Sequence, residues 1–326
     1  MFWNLLSRIS KNLVLAIPVA MISGFAFGLI TDSGWLKGMI IPATFLMVYP
    51  MMVTLKVKKV FEGGDARAQL YTQLINFALI PFVAYGIGLF FFSDSPYLAL
   101  GLLLAALVPT SGMTISWTGF AKGNLEAAVK MTVIGLILGS LATPFYVQWL
   151  MGTVVQVELM AIARQIVFIV FLPMAAGFLT QQQLISRYGQ KSFQEEWGPR
   201  FPAVSTIGVL AIVFIAIAIK AKSIIASPEL LLKIMLPLLL LYGTNYLVST
   251  VIGMVLLKRG DAIALVYGTV MRNLSIALAV AMNVFGAAGA DAALVIALAY
   301  IIQVQSAAWY VKLTDKLFGP APAKAG

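Results

Sequence analysis

The chain of 326 residues has no cysteine and no histidine, and only 10% of its residues are charged. Without cysteine there are no disulfides, thiolate metal sites or thiol nucleophiles; without histidine there is no imidazole acid–base chemistry. No metal site and no cofactor is expected. Soluble domains carry about 25% charged and 45–50% apolar residues. Here 61% are hydrophobic and the mean hydropathy is +0.97. So little polar surface cannot cover a water-soluble globule, which excludes a soluble enzyme. Acidic residues are also scarce, twelve against 22 basic ones. All twelve can be placed in loops or at the ends of apolar runs, so no mid-span carboxylate is available to bind sodium or relay protons. An intramembrane enzyme would lack its acid–base groups for the same reason. The net charge of +10 would point to nucleic acid in a soluble chain. In this one it reads as basic loops held on the cytoplasmic side, and no nucleic-acid partner is expected.

What is abundant is long apolar runs. Segments of about 17–25 apolar residues between charges and turns fall near 12–30, 38–56, 69–92, 97–120, 125–150, 161–181, 203–222, 230–257, 261–284 and 291–311. Of these, 203–222 is the weakest, because Lys220 and Lys222 crowd its end. With the N-terminus inside, fifteen of the 22 basic residues fall on the cytoplasmic side and five opposite. That bias predicts a multi-pass protein of the plasma membrane with both termini cytoplasmic. Met1 to Ser10 reads as a short interfacial segment rather than a cleavable signal, and the tail Phe318 to Gly326 as frayed. Residues 1–326 are read as one transmembrane domain. Ten spans divide into two five-helix halves, 12–150 and 161–311, which an odd number of crossings orients oppositely. Inverted repeats of this kind are typical of secondary transporters.

Two spans are interrupted, each the fourth of its half. One carries Val108-Pro109-Thr110-Ser111-Gly112-Met113-Thr114, where Pro109 lacks an N–H and Gly112 weakens the helix. Thr110, Ser111 and Thr114 offer hydroxyls to the freed backbone. A harmless proline kink is the alternative. The other carries Gly268-Thr269-Val270-Met271-Arg272-Asn273-Leu274-Ser275. Arg272 lies roughly 16 Å into its span at 1.5 Å per residue, where an arginine costs at least about 2.5–3.5 kcal/mol. It should therefore face a cavity or a partner, with Asn273 and Ser275 beside it. Lys130 lies close to the start of its span with Glu126 at i−4, so it is either an interfacial ion pair or a second cation at the site. Asn76, Thr132 and Gln303 are read as interhelical glue or as solute contacts.

At these breaks the sequence resembles the superfamily of bile acid:sodium symporters and Acr3 arsenite transporters. The resemblance rests on Phe45-Leu46-Met47-Val48-Tyr49-Pro50-Met51-Met52 with Lys56, on Trp117-Thr118-Gly119-Phe120-Ala121-Lys122-Gly123-Asn124, and on Ile276 to Ala281 with Phe285-Gly286. Asn76 with Pro81, and Thr143-Pro144, fit both branches. It implies an all-α fold of ten transmembrane helices, with panel and core domains and two discontinuous helices that cross, working by alternating access. It also implies altered coupling. The Acr3 cysteine falls on Thr110, its glutamate on Ser275 and a further acidic position on Gln303. The glutamate and glutamine of the sodium-coupled branch fall on Gly268 and Arg272, and its Ser-Asn pair on Thr114-Ile115, leaving Thr132 as the clear sodium contact.

The expected function is secondary transport of a small, anionic solute across the lipid bilayer through a cavity carrying fixed positive charge. The alternative is arsenite or antimonite efflux, in which hydroxyls and Asn273 would have to replace thiolates. A receptor or scaffold that has lost transport is a third reading.

Overall fold

The computed structural model describes residues 12–55, 65–155, 159–226, 228–286 and 288–320. The expected interfacial segment Met1 to Ser10, the basic loop around Lys58 and the end of the tail lie outside them. The described residues form helices and no strand, as lipid requires of a chain that must satisfy its backbone within each segment. In chain order these are α1 (Leu13–Ile30), a 3-10 turn (Gly34–Met39) leading into α2 (Ile40–Val53), α3 (Ala66–Gln73), α4 (Ile80–Phe91), α5 (Pro96–Leu107), α6 (Gly112–Phe120), α7 (Leu125–Met151), α8 (Leu159–Ile166), α9 (Leu172–Ser192), α10 (Arg200–Ala226), α11 (Glu229–Leu256), α12 (Arg259–Val270), α13 (Leu274–Val284), α14 (Gly289–Val311) and α15 (Thr314–Phe318).

Seven stretches are long and apolar enough to cross a membrane: Gly34–Val53, Ala66–Phe91, Leu125–Met151, Leu159–Trp197, Arg200–Lys222, Glu229–Leu256 and Gly289–Val311. They overlap seven of the ten expected segments. The segment 12–30 forms a shorter apolar helix, and 97–120 and 261–284 are each divided into two helices. Two of the seven pass through π-helical turns, Leu74–Leu79 and Val167–Phe171. Pro81 and Pro173 stand two residues beyond those turns. A proline has no N–H to close the preceding turn, and the chain widens ahead of it rather than breaking.

Close helix contacts are made by small residues. Gly24 and Gly28 set α1 so near α10 that a Cβ on Gly24 would lie 2.5 Å from the Phe214 carbonyl oxygen. This i, i+4 spacing suits lipid, where association depends on backbone approach rather than on water release. Helix α10 also packs on α2, and α2 on α9. There Tyr49 shares a 2.8 Å hydrogen bond with Thr180, and the Gln181 amide donates to the Val53 carbonyl. On the other side α14 packs on α5 and α13, and α12 on α11. Lys220, at the end of the segment judged weakest, pairs with Asp291 on α14 at 2.8 Å. The tail is not frayed from its start, since the Gly319 carbonyl accepts from Arg259 Nε at 2.8 Å.

Candidate functional site

The two interruptions meet. Helix α5 stops at Leu107 and α6 starts at Gly112; α12 stops at Val270 and α13 starts at Leu274. Between them Pro109 and Arg272 form an antiparallel bridge, and the Asn273 N–H donates to the Val108 carbonyl at 2.8 Å. Each unwound strand thus supplies part of the backbone pairing the other lost. Helix α12 has 12 residues and α13 has 11, so at 1.5 Å per residue Arg272 stands about midway along the divided element.

The first break is seated by α7. Thr110 has φ +65°, an uncommon conformation for a β-branched residue that persists only where its surroundings impose it. Its hydroxyl donates to the Thr132 carbonyl at 3.1 Å. Gly135 and Gly139 make room for it: a Cβ on either would approach Thr110 Oγ1 or Pro109 Cδ to 2.6 Å. Ser111 and Thr114 then start α6 as a reciprocal cap. The Ser111 hydroxyl accepts from the Met113 N–H and the Thr114 hydroxyl from the Ser111 N–H, which satisfies two otherwise open donors.

The second break is clamped by α14 and α11. Both ends of the Gln303 amide grip the backbone of Arg272, Oε1 accepting from its N–H at 2.8 Å and Nε2 donating to its carbonyl at 3.2 Å. The Tyr242 hydroxyl donates to the same Gln303 oxygen at 3.0 Å. Asn273 caps α13 through the Ile276 N–H, and the Ser275 and Tyr300 hydroxyls are 2.6 Å apart. One turn earlier, Asn76 and Asn245 donate to the successive carbonyls of Gly268 and Thr269.

A cavity of about 250 Å³ lies against this crossing. Arg272, Asn273, Ser275 and Tyr300 form one wall with Ser111, Gly112 and Ser116; Met51 of α2, Thr54 just beyond it, and Pro202, Ser205 and Thr206 of α10 form the other. The Arg272 side chain is 2% exposed, and its two terminal nitrogens have no hydrogen-bond partner. No Asp or Glu among the described residues lines this cavity. The cavity receives the residues that begin α6 and α13, but none from α5 or α12, so both neighbouring half-helices turn their positive ends toward it. A smaller cavity of about 70 Å³ adjoins it, lined in part by Thr110, Ser111, Thr132 and Asn273.

The expected site residues therefore separate into two sets. Ser111, Arg272, Asn273 and Ser275 line the larger cavity, and Thr110 and Thr132 the smaller. Thr114, Asn76 and Gln303 line neither; they hold backbone at the breaks. Lys130 is also elsewhere. It lines neither cavity, and its ammonium pairs with Asp65, which precedes α3, at 2.8 Å. Glu126, at i−4, is exposed, whereas Lys130 is 3% exposed. Tyr300, Thr54, Ser205 and Thr206 escaped the sequence reading. Ser205-Thr206, a polar pair inside an apolar span, was the signal to follow.

The model of the Sodium Bile acid symporter family matches residues 41–227, more than half of the chain. The arsenical-resistance protein Acr3 of Alkaliphilus metalliredigens is 27% identical over 207 residues, 60% of this chain and 58% of that protein, less than two thirds of its length. Acr3 of Corynebacterium glutamicum is 21% identical over 303 residues, 85% of this chain and 82% of its own. An uncharacterized transporter of Synechocystis sp. is 22% identical over 348 aligned positions, 95% of this chain and 89% of its own. With its apolar helices and its two divided ones, the chain is a multi-pass membrane protein that belongs to the sodium bile acid symporter family.

Proposed function

We propose that the protein moves a small anionic solute by alternating access, with the Arg272 guanidinium serving as a fixed counter-charge where a coupling cation would otherwise sit. The observation that carries this reading is a buried arginine that contributes to the lining of a cavity and whose two terminal nitrogens have no hydrogen-bond partner. Buried charges are ordinarily paired. A carboxylate or oxyanion would accept from both nitrogens at once, and the hydroxyls of Ser111, Ser116 and Ser275 offer further contacts. Ten spans in two inverted repeats, 12–150 and 161–311, complete the proposal, in the plasma membrane with cytoplasmic termini. Its support is that each half contains one divided helix, fourth in order, and that the breaks meet. The cavity lies between α2 with α10 on one side and the crossing on the other, so sliding of one group past the other would expose it to alternate faces.

The test is solute entry into proteoliposomes, with and without a sodium or pH gradient. The expected result is entry of an anion that needs no sodium and is lost in Arg272→Gln, with the variant still monodisperse. Entry unchanged by the substitution would remove Arg272 from the mechanism.

A second reading follows from the two Acr3 relatives. Arsenite is mostly neutral near pH 7, and this chain has no thiolate for it; Thr110, Ser111 and Asn273 would be its ligands at the smaller cavity. Expression in an arsenite-sensitive host separates the two, and absence of protection counts against extrusion.

A further inference from the structure

The charge on Arg272 also constrains how the carrier returns after delivering its solute. The ion pairs among the described residues join Lys130 to Asp65, Lys220 to Asp291 and Arg259 to Asp315. Arg272 belongs to none of them, and its terminal nitrogens are unpartnered. Alternating access passes through a state in which the cavity is closed to both sides. With an anion bound, that state encloses a neutral pair. With the site empty, it encloses a lone guanidinium, which is far more costly to remove from water than a paired one. A lysine could shed its proton to escape this cost; an arginine stays charged.

The walls of the cavity place the cost on the moving step. One wall comes from α2 and α10, through Met51 and Ser205, and the other carries Arg272 and Ser275. Any closure of one wall on the other takes place against the wall to which Arg272 contributes.

We propose that the carrier is an exchanger: it reorients readily only with an anion against Arg272, so one anion leaves as another enters, and net movement in either direction is slow. This inference rests on the anion-carrier reading above.

Trans-stimulation in liposomes tests it. Purified wild-type protein is reconstituted in sodium-free potassium medium with valinomycin, so that membrane potential does not limit entry. The probes are labelled pyruvate, succinate and sulfate, each offered to vesicles loaded with the same unlabelled anion or with sucrose alone. At least one probe should enter anion-loaded vesicles about tenfold faster than sucrose-loaded ones, a ratio equivalent to about 1.4 kcal/mol. Arg272→Gln should abolish that entry, and Arg272→Lys, which keeps a charge, should restore part of it. Equal entry into both kinds of vesicle, still lost in Arg272→Gln, would overturn exchange and leave the anion reading standing. Entry insensitive to Arg272→Gln, or no entry of any probe, would overturn both.

Discussion

Among the described residues, two cations lie almost wholly inside the protein and are held in opposite ways. Lys130 is 3% exposed and Arg272 is 2% exposed. Lys130 has a carboxylate at 2.8 Å, and Asp65 in turn accepts from the Gln69 amide at 2.8 Å. Arg272 has its backbone fixed by Gln303 and the ends of its side chain left unpartnered. Equal burial thus accompanies two different designs. One is closed, with the charge neutralised where α3 meets α7. The other is open, with a charge held in register and nothing supplied to neutralise it. The contrast predicts that disturbing the first damages folding, whereas disturbing the second damages transport.

The largest effect on stability should come from Asp65→Asn. It takes the carboxylate away from the buried Lys130 ammonium, and breaking a buried pair from one side costs about 3–5 kcal/mol. A marked fall in the thermal midpoint in detergent, or loss of the folded fraction on size exclusion, is the measurable outcome. A midpoint unchanged from wild type would mean that the pair is not structural, and the contrast would collapse.

Next in size is Gln303→Leu. The substitution removes both contacts to the Arg272 backbone and the acceptor for Tyr242, and each buried polar group left unpaired costs about 1–3 kcal/mol. The tie between Asn273 and Val108 remains, so the break should loosen rather than unfold. Solute affinity should fall along with the thermal midpoint. Because Gln303 does not line the cavity, a variant that loses stability but keeps wild-type affinity would show that positioning of Arg272 tolerates a loose backbone.

A smaller effect is expected from replacing both members of the closed pair. Asp65→Leu with Lys130→Met removes two charges together, and apolar substitution of a buried pair is often neutral or stabilising. The double variant should regain most of the midpoint that Asp65→Asn loses. It should also transport at the wild-type rate, since neither residue lines the solute cavity. Loss of transport in a well-folded double variant would restore Lys130 to the site.

Much of this was legible in the residues. Long apolar runs fixed the helical character, and the Pro109–Gly112 and Gly268–Ser275 stretches marked both divided helices. The depth of Arg272 was also readable, because counting residues from the helix start gives distance along the axis directly. What could not be read was partnership across the fold. Asp65 and Lys130 are separated by 65 positions, and the local Glu126 spacing offered a nearer candidate, which is exposed. Gln303 stood open between interhelical glue and a solute contact, because a buried amide reads the same from sequence whether it holds a solute or a backbone. The opposite wall was hidden for a related reason. Thr54, Ser205 and Thr206 are ordinary hydroxyl residues, and only the packing of α2 and α10 against the crossing gives them a common cavity.

The smallest expected change in stability belongs to the residue with the largest expected role in transport. Arg272→Gln removes a charge that has no partner to strand, so no buried carboxylate is orphaned by its loss. Its backbone N–H and carbonyl, which Gln303 grips, are retained by any residue at the position. Glutamine keeps a polar side chain at the position with a neutral amide. The thermal midpoint should therefore stay within the range of ordinary surface substitutions, about 0.5 kcal/mol either way, or rise, because desolvation of a lone guanidinium no longer opposes folding. A fall as large as that of Asp65→Asn would show that the guanidinium is holding the bundle together, and the open design would then be a closed one whose partner is a neutral group.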